Sequence, residues 1–168
     1  KTSLEELQEL IPELTPTDYK FDLDTGNYLD IAGNASIPAA STIKLPVLVA
    51  FFKAVDDGRI TVDQAMAIQS SQIVGGSGDM QTQPPGTRYT ALEVATQMII
   101  NSDNTATNMM IDLLGGAAVL NQQFADGGLG VTVINNPLPD LEGTNTTSAQ
   151  DLVRMFAHLH KGEIVSLR

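Results

Sequence analysis

The chain of 168 residues has no cysteine and no tryptophan, and it has only two histidines. Without thiols it has no thiolate zinc site, no cysteine nucleophile and no disulfide. His158 and His160 lie two positions apart. On a helix this spacing places them on different faces, so we interpret both as surface residues and expect no metal site.

Basic residues are also scarce. The chain has nine Lys and Arg and twenty Asp and Glu, which gives a formal net charge of −11. Nucleic-acid binding and docking on an anionic membrane both need a basic face, which this balance argues against. Three Tyr and five Phe are too few for a stacking platform. No apolar run reaches the roughly 18 residues that a membrane-spanning helix needs.

The chain is 42% hydrophobic, which is enough for one packed domain. Caps and periodicity predict a short amphipathic helix from Ser3 to near Pro12, and alternation at 20–24 and 28–31 predicts a β-hairpin. A loop-rich region is predicted after residue 56, and it contains another capping-box pattern at 61–64. Further helices are predicted at 91–100, 105–114, 117–125 and 147–161.

The segment from Ser41 to Asp56 carries apolar residues in nearly all directions around a helix, which is typical of a buried central helix. Pro46 is tolerated only in a first turn, where its missing N–H would be unpaired anyway. The helix is therefore predicted to begin around residues 40–43, with Ser41 at its N-terminus.

Ser41 and Lys44 form a Ser-x-x-Lys pair at this helix start, and their spacing places both on one face. A serine hydroxyl needs a neighbouring base to become a nucleophile. A lysine can be that base if burial and nearby positive charge lower its pKa. The Ser41 amide at the helix N-terminus is a candidate oxyanion donor. The alternative is that Ser41 is a helix cap.

A second motif, Ser102-Asp103-Asn104, follows 61 residues after Ser41 at a break between two predicted helices. Its structural interpretation is a cap, with Asp103 or Asn104 holding the amides of the next helix. Its functional interpretation is that Ser102 passes a proton between Lys44 and a leaving group, while the Asn104 amide holds a substrate carbonyl.

These two motifs, with the segments 38–44, 85–87 and 100–108, resemble the serine β-lactamase and penicillin-binding-protein superfamily. The likeness to class A β-lactamases runs from about residue 15 to the end. The resemblance implies a nucleophile at Ser41 that forms an acyl-enzyme with a β-lactam or a peptidoglycan peptide ending in D-alanyl-D-alanine. It also implies that Lys44 is the base or proton relay.

By the same resemblance, Ser102 shuttles protons, Asn104 binds substrate and Asp103 holds the loop. The implied fold is an α/β (α+β) two-part β-lactamase-like domain over residues 1–168, in which an antiparallel sheet flanked by helices adjoins an all-helical subdomain at about 41–147. The resemblance implies no cofactor and a periplasmic or extracellular location.

The family's Lys-Thr-Gly motif is absent, since the last lysine, Lys161, is followed by Gly162 and Glu163. We expect the chain to lack the family's C-terminal strands and closing helix. A domain without them exposes apolar surface, so we expect association with that missing segment or with a second copy.

The loop before Thr146 is shorter than the family pattern, in which a glutamate activates the water that frees the serine. Glu142 is our candidate for this deacylation base, with Asp140 as the weaker one. The alternative is that both are solvated loop charges. A class A β-lactamase is therefore the leading hypothesis, and a D-alanyl-D-alanine peptidase or esterase and a penicillin-binding sensor with slow deacylation are the alternatives.

Overall fold

The computed structural model of the protein describes residues 3–11, 13 and 15–166. Within these residues the chain forms six α-helices and six short strands. The helices are α1 (Ser3–Leu10), α2 (Lys44–Asp56), α3 (Ala91–Ile100), α4 (Asn104–Leu113), α5 (Ala117–Asp126) and α6 (Ala149–His160). The strands are β1 (Asp18–Phe21), β2 (Tyr28–Ile31), β3 (Ile37–Pro38), β4 (Ala65–Ala67), β5 (Arg88–Thr90) and β6 (Thr146–Thr147).

The described strands pair antiparallel in three two-stranded sheets, β1 with β2, β3 with β6, and β4 with β5. The predicted hairpin is confirmed, with Asp18 opposite Ile31 and Phe21 opposite Tyr28. Its first strand ends earlier than predicted, because the Asp22 carboxylate accepts the Thr25 amide and starts the turn. The β3–β6 pair joins the segment before Ser41 to the segment before α6.

The central helix α2 follows a 3-10 turn, Ala40–Ile43, so the predicted start of this helix is confirmed. Its inner face packs against α3, α4 and α5. The buried apolar side chains on that face are Val47, Ala50, Phe51 and Ala54. The opposite face is covered less, since Leu48 and Val49 are partly buried and Phe52 is 36% exposed. The prediction of burial all round α2 is therefore wrong for this face.

The break between α3 and α4 presents the second motif. Thr90 caps α3 by accepting the Glu93 amide, and Glu93 returns a bond to the Thr90 amide, as the capping-box pattern predicts. Asp103 caps α4 by accepting the amide of Ala106 at 2.8 Å. Because α4 is buried along most of its length, this cap holds the motif rigidly against the core.

The capping-box pattern at Thr61 starts no helix among the described residues, and the segment after α2 is rich in loops, as predicted. The Gln64 carbonyl instead accepts the amide of Ala91, and the Val62 carbonyl accepts the amide of Leu92. These bonds join the segment to the first turn of α3, next to the β4–β5 pair. A side-chain pattern for a cap is overridden here by long-range backbone pairing.

Ser148 caps helix α6, and its hydroxyl accepts the amide of Asp151. His158 and His160 are exposed, as predicted. Within the described residues no group of three or more histidines and carboxylates is placed to hold a metal ion. In that same part of the chain, every helix is too short or too polar to span a bilayer. A separate helical subdomain at 41–147, and association with another segment or copy, stay predictions.

Candidate active site

Ser41, Lys44 and Ser102 meet at the N-terminal end of α2. The Lys44 Nζ atom donates to Ser41 Oγ at 3.2 Å and to Ser102 Oγ at 2.9 Å. Ser102 Oγ donates to Ser41 Oγ at 3.0 Å. Two hydroxyls and one amine thus form a closed triangle, which brings together residues that are far apart in the sequence.

The Lys44 amine also has two acceptors on the second motif. Its Nζ atom lies 2.6 Å from the backbone oxygen of Ser102 and 2.9 Å from Oδ1 of Asn104. A neutral amine has two N–H groups and one lone pair. When those N–H groups bond to these two oxygens, the direction of the contact with Ser41 reverses, and the lone pair of the neutral amine accepts from the Ser41 hydroxyl. The geometry therefore suits an amine that accepts a proton from Ser41.

Burial makes this neutral form accessible. Lys44 is 2% exposed, and desolvation lowers its pKa, while the nearby Asp103 carboxylate opposes the shift without cancelling it. The sequence led us to expect help from a nearby positive charge, but the charge that acts on Lys44 is negative. Burial is therefore the cause that prepares this lysine as a base.

Ser102 has a backbone conformation that few residues other than glycine adopt, with φ of 51°. The Asp103 amide bonds to the Gln97 carbonyl at 3.2 Å, and Lys44 holds the Ser102 carbonyl. The surrounding contacts keep this strained residue in place and direct its hydroxyl towards Ser41. Strain of this kind is concentrated at functional sites.

Asp103 is fully buried and acts in two directions. One carboxylate oxygen caps α4 at the Ala106 amide, and the other accepts the amide of Met80 at 2.8 Å. The structural interpretation of Asp103 as the cap of α4 is therefore confirmed, and the functional interpretation of its neighbours stays a prediction. The cap ties the motif to the loop before Met80.

Asn104 is 7% exposed, and both ends of its carboxamide are engaged. Its Oδ1 accepts from Lys44, and its Nδ2 donates to the Gly75 carbonyl at 3.2 Å. Among the described residues Nδ2 uses one of its two hydrogens. Binding of a substrate carbonyl by the second hydrogen, which is the function that the resemblance implies, stays a prediction.

An open cavity of about 290 Å³ lies over the serine pair. Leu45, Met98 and Ile99 supply an apolar wall, and Lys44 and Ser102 supply the polar side. A small ligand entering this cavity meets the Ser41 hydroxyl directly. The site is thus reachable from solvent, and its base is nevertheless buried.

Neither of the two candidate deacylation bases hydrogen-bonds to Ser41, Lys44 or Ser102. Glu142 is exposed and makes no hydrogen bond or ion pair with any described residue. The oxygens of Asp140 accept from the Thr144 hydroxyl at 2.9 Å and from the Asn145 amide at 2.6 Å. Burial raises the pKa of Asp140, but these loop hydrogen bonds outweigh it and keep the pKa below its ordinary value.

Two buried asparagines that the sequence reasoning missed hold the loop before Thr146. Asn108 donates to the Leu138 carbonyl at 2.8 Å and accepts the Leu138 amide at 2.9 Å. Asn145 accepts the amides of Asn135 and Asn136 through its Oδ1. Asn108 follows Asn104 by one helical turn, and this spacing is the signal that the sequence offered.

Comparison with known proteins adds the family. The sequence profile of the "Beta-lactamase enzyme family" matches residues 5–168. The chain belongs to the β-lactamase enzyme family. The resemblance to serine β-lactamases and penicillin-binding proteins is therefore confirmed.

Among curated β-lactamase relatives, β-lactamase AER-1 of Aeromonas hydrophila is 26% identical over 152 residues, 87% of this chain and 50% of that protein. D-alanyl-D-alanine carboxypeptidase DacB2 of Mycobacterium tuberculosis is 32% identical over 145 residues, 80% of this chain and 47% of that protein. The chain thus spans about half the length of these relatives.

Solved structures confirm the β-lactamase-like fold. The structure of PBP-A is 51% identical with a TM-score of 0.90, covering 98% of this chain and 63% of that one. An ancestral class A β-lactamase is 25% identical with a TM-score of 0.82, covering 97% of this chain and 65% of that one. A mutant of PBP-A, equally similar, is an acyl-enzyme complex with penicillin G.

Proposed function

We propose that this β-lactamase-family protein opens β-lactam rings by forming an acyl-enzyme on Ser41. The observation that carries the proposal is the position of Lys44 Nζ, which contacts the hydroxyls of both Ser41 and Ser102. Burying an amine costs free energy, and we infer that its position between two hydroxyls serves a reaction as well as the hydrogen bonds that hold Ser102. In that reaction a proton leaves one hydroxyl and returns through the other.

Acylation begins when the Lys44 lone pair accepts the Ser41 proton and Oγ attacks the lactam carbonyl carbon. The first amides of a helix lack intrahelical acceptors, so the Ser41 amide is placed to stabilise the developing oxyanion. The second hydrogen on Asn104 Nδ2 binds a carbonyl elsewhere on the substrate. The residue that binds the substrate and the residue that attacks it are thus both held by the same packed core.

Ring opening then needs a proton at the lactam nitrogen. Lys44 passes the proton to Ser102, and the Ser102 hydroxyl delivers it as the C–N bond breaks, so that the amine leaves neutral. The new ester joins Ser41 Oγ to the acyl carbon. The chemistry as proposed uses side chains and a backbone amide of the protein and calls for no cofactor.

Release of the serine requires water and a base, and we propose Glu142 for that base. Its carboxylate is exposed and has no hydrogen bond to a described residue, so it is free to accept a proton from water. In this reaction the water adds to the ester carbon and gives its proton to the Glu142 carboxylate. That proton then passes through the neutral Lys44 amine to the Ser41 oxygen as the C–O bond breaks, so that Glu142 and Lys44 both return to their starting forms. Hydrolysis of β-lactams then proceeds in repeated cycles.

A second candidate function follows from the isolation of Glu142 from the site. When no carboxylate reaches the water, the penicillin adduct persists, and the same serine suits a D-alanyl-D-alanine peptidase or esterase, or a penicillin-binding sensor. The similarity to a carboxypeptidase and to PBP-A supports this candidate. Because these substrate classes occur outside the cytoplasm, we propose a periplasmic or extracellular location for either function.

Parallel assays separate the two candidates. Loss of lactam absorbance measures penicillin hydrolysis, and release of D-alanine from a D-alanyl-D-alanine peptide measures peptidase activity. Ser41→Ala is expected to abolish both, whereas Ser71→Ala, which removes an exposed hydroxyl outside the site, is expected to change neither. Hydrolysis that survives Ser41→Ala would overturn the proposal.

A further inference from the structure

A loop rich in glycine, residues 75–78, lies directly on the Ser102-Asp103-Asn104 motif, and its carbonyl oxygens alternate between two partners. The Gly75 carbonyl accepts from Asn104 Nδ2 at 3.2 Å. The Ser77 carbonyl accepts from the Asn104 backbone amide at 3.1 Å. Asn104 thus holds every second carbonyl of the loop.

The two remaining carbonyls of residues 75–78 bind Gln81. Its Nε2 atom donates to Gly76 at 2.8 Å and to Gly78 at 2.7 Å. One carboxamide nitrogen has two hydrogens, and here both are used. Gln81 therefore holds the loop from the side opposite Asn104.

The loop has little stiffness of its own. Gly76 and Gly78 have φ of +105° and +94°, which glycine adopts readily and other residues rarely do. Glycine also leaves the unbraced chain free to take many other conformations. The loop shape must therefore be maintained by partners from outside, and Gln81 supplies two of the bonds.

The same glycines bring the loop into direct contact with the motif. A Cβ atom at Gly76 would lie 2.6 Å from Asn104 Nδ2, and one at Gly78 would overlap the Asp103 carboxylate. No space separates the loop from these side chains. A displacement of the loop is therefore passed to Asn104, whose Oδ1 lies 2.9 Å from Lys44 Nζ.

We infer that Gln81 is a positioning residue, which braces residues 75–78 so that the Asn104 carboxamide stays aligned with Lys44 and with a substrate carbonyl. The inference rests on the proposed acylation of Ser41. Gln81 acts through Asn104, and its loss leaves every group that touches substrate in the chain. The residue is partly buried, and its carboxamide serves the loop.

The test compares Gln81→Met with Gln64→Met in a fluorescent-penicillin labelling assay. Methionine keeps the side-chain length but donates no hydrogen bond, and Gln64 is an exposed glutamine with no side-chain hydrogen bond among the described residues. Misplaced groups slow a reaction strongly, so Gln81→Met is expected to lower the acylation rate constant by about 10-fold or more. Gln64→Met is expected to label at the wild-type rate.

A double-mutant cycle tests the route through Asn104. In an Asn104→Ala background, adding Gln81→Met is expected to cause little further loss, because the positioned group is already absent. The labelled fraction at completion reports folded protein and is expected to stay constant. Two independent losses that multiply would contradict the inference, and so would a lower labelled fraction at an unchanged rate.

The outcomes separate this inference from the proposed function. Wild-type protein that takes no label dependent on Ser41 refutes the function. Wild-type protein that labels, together with Gln81→Met that labels equally fast, refutes only the inference. If Gln81→Met does not fold, Gln81→Asn replaces it, since its shorter side chain cannot reach both carbonyls. A wild-type rate in that variant overturns the inference.

Discussion

The hydroxyl of Ser102 donates a hydrogen bond of 3.0 Å to the hydroxyl of Ser41, which lies 61 positions earlier in the chain. The bond connects the break before α4 with the 3-10 turn before α2. Lys44 contacts both oxygens, so a proton has a continuous path among the three groups. The core packing of α2 against α4 keeps that path in place.

Removal of the buried amine is expected to stop acylation. Lys44→Met keeps the apolar stem and removes the base, so the acylation rate constant is expected to fall by about 10² to 10⁴. Stopped-flow labelling with a fluorescent penicillin measures it. Lys53→Met is the matched control, since Lys53 is an exposed lysine on the same helix. Equal rates in the two variants would remove Lys44 from the mechanism.

The pH dependence of acylation follows from burial of Lys44. Burial lowers the pKa of this lysine from its ordinary value of 10.5, and the reactive form is the neutral amine. The acylation rate is therefore expected to rise with pH and to level off at a pH below that value. A pH profile of the rate constant for acylation checks this. A rate that still rises steeply at pH 10.5 would contradict a depressed pKa.

The proposed role of Glu142 predicts a longer-lived adduct in Glu142→Gln. The amide keeps the size of the side chain but cannot take a proton from water. Adduct decay, followed by the return of labelling capacity, is the measurement. Glu163→Gln, which removes an exposed carboxylate just after the C-terminal end of α6, is the control. Equal decay in wild type and Glu142→Gln would leave Glu142 a solvated charge and favour the second candidate function.

The fully buried Asn145 is expected to be a major contributor to loop stability. Its carboxamide accepts two backbone amides and donates to the Asn136 carbonyl at 3.0 Å. Asn145→Ala leaves these groups unsatisfied, and it is expected to reduce the free energy of unfolding by about 2 to 3 kcal/mol. Urea denaturation measures the loss. Asn34→Ala, at an exposed position, is expected to cost much less, and similar losses would contradict the assignment.

The sequence predicted the polar residues that meet at the site better than the residues that hold the surrounding loops in place. Ser41 and Lys44 were linked by helical spacing, and Pro46 located the helix start, because both rest on local backbone geometry. Ser102 and Asn104 were linked to them through the resemblance. Gln81 and Asn145 gave no signal, because a carboxamide that bonds to backbone groups has no periodic pattern. Features that depend on local backbone geometry could be predicted from the sequence, whereas contacts that form only when distant loops fold together could not.

The incomplete burial of α2 has a similar explanation. Its apolar residues point in all directions, which is the pattern of an interior helix. The sequence does not reveal which elements cover each side, so the exposed fraction of Phe52 could not be predicted from the pattern. An apolar side chain is more stable when buried, but the packing of the other elements around α2 determines which of its apolar side chains are buried.

Intact mass measured over time after addition of penicillin G tests the central claim most directly. The account predicts that the protein gains the mass of one penicillin and that Ser41→Ala gains none, while Ser71→Ala behaves as wild type. Peptide mapping is expected to place the added mass on Ser41. A protein that gains no mass, or an Ser41→Ala variant that still gains it, would contradict the account.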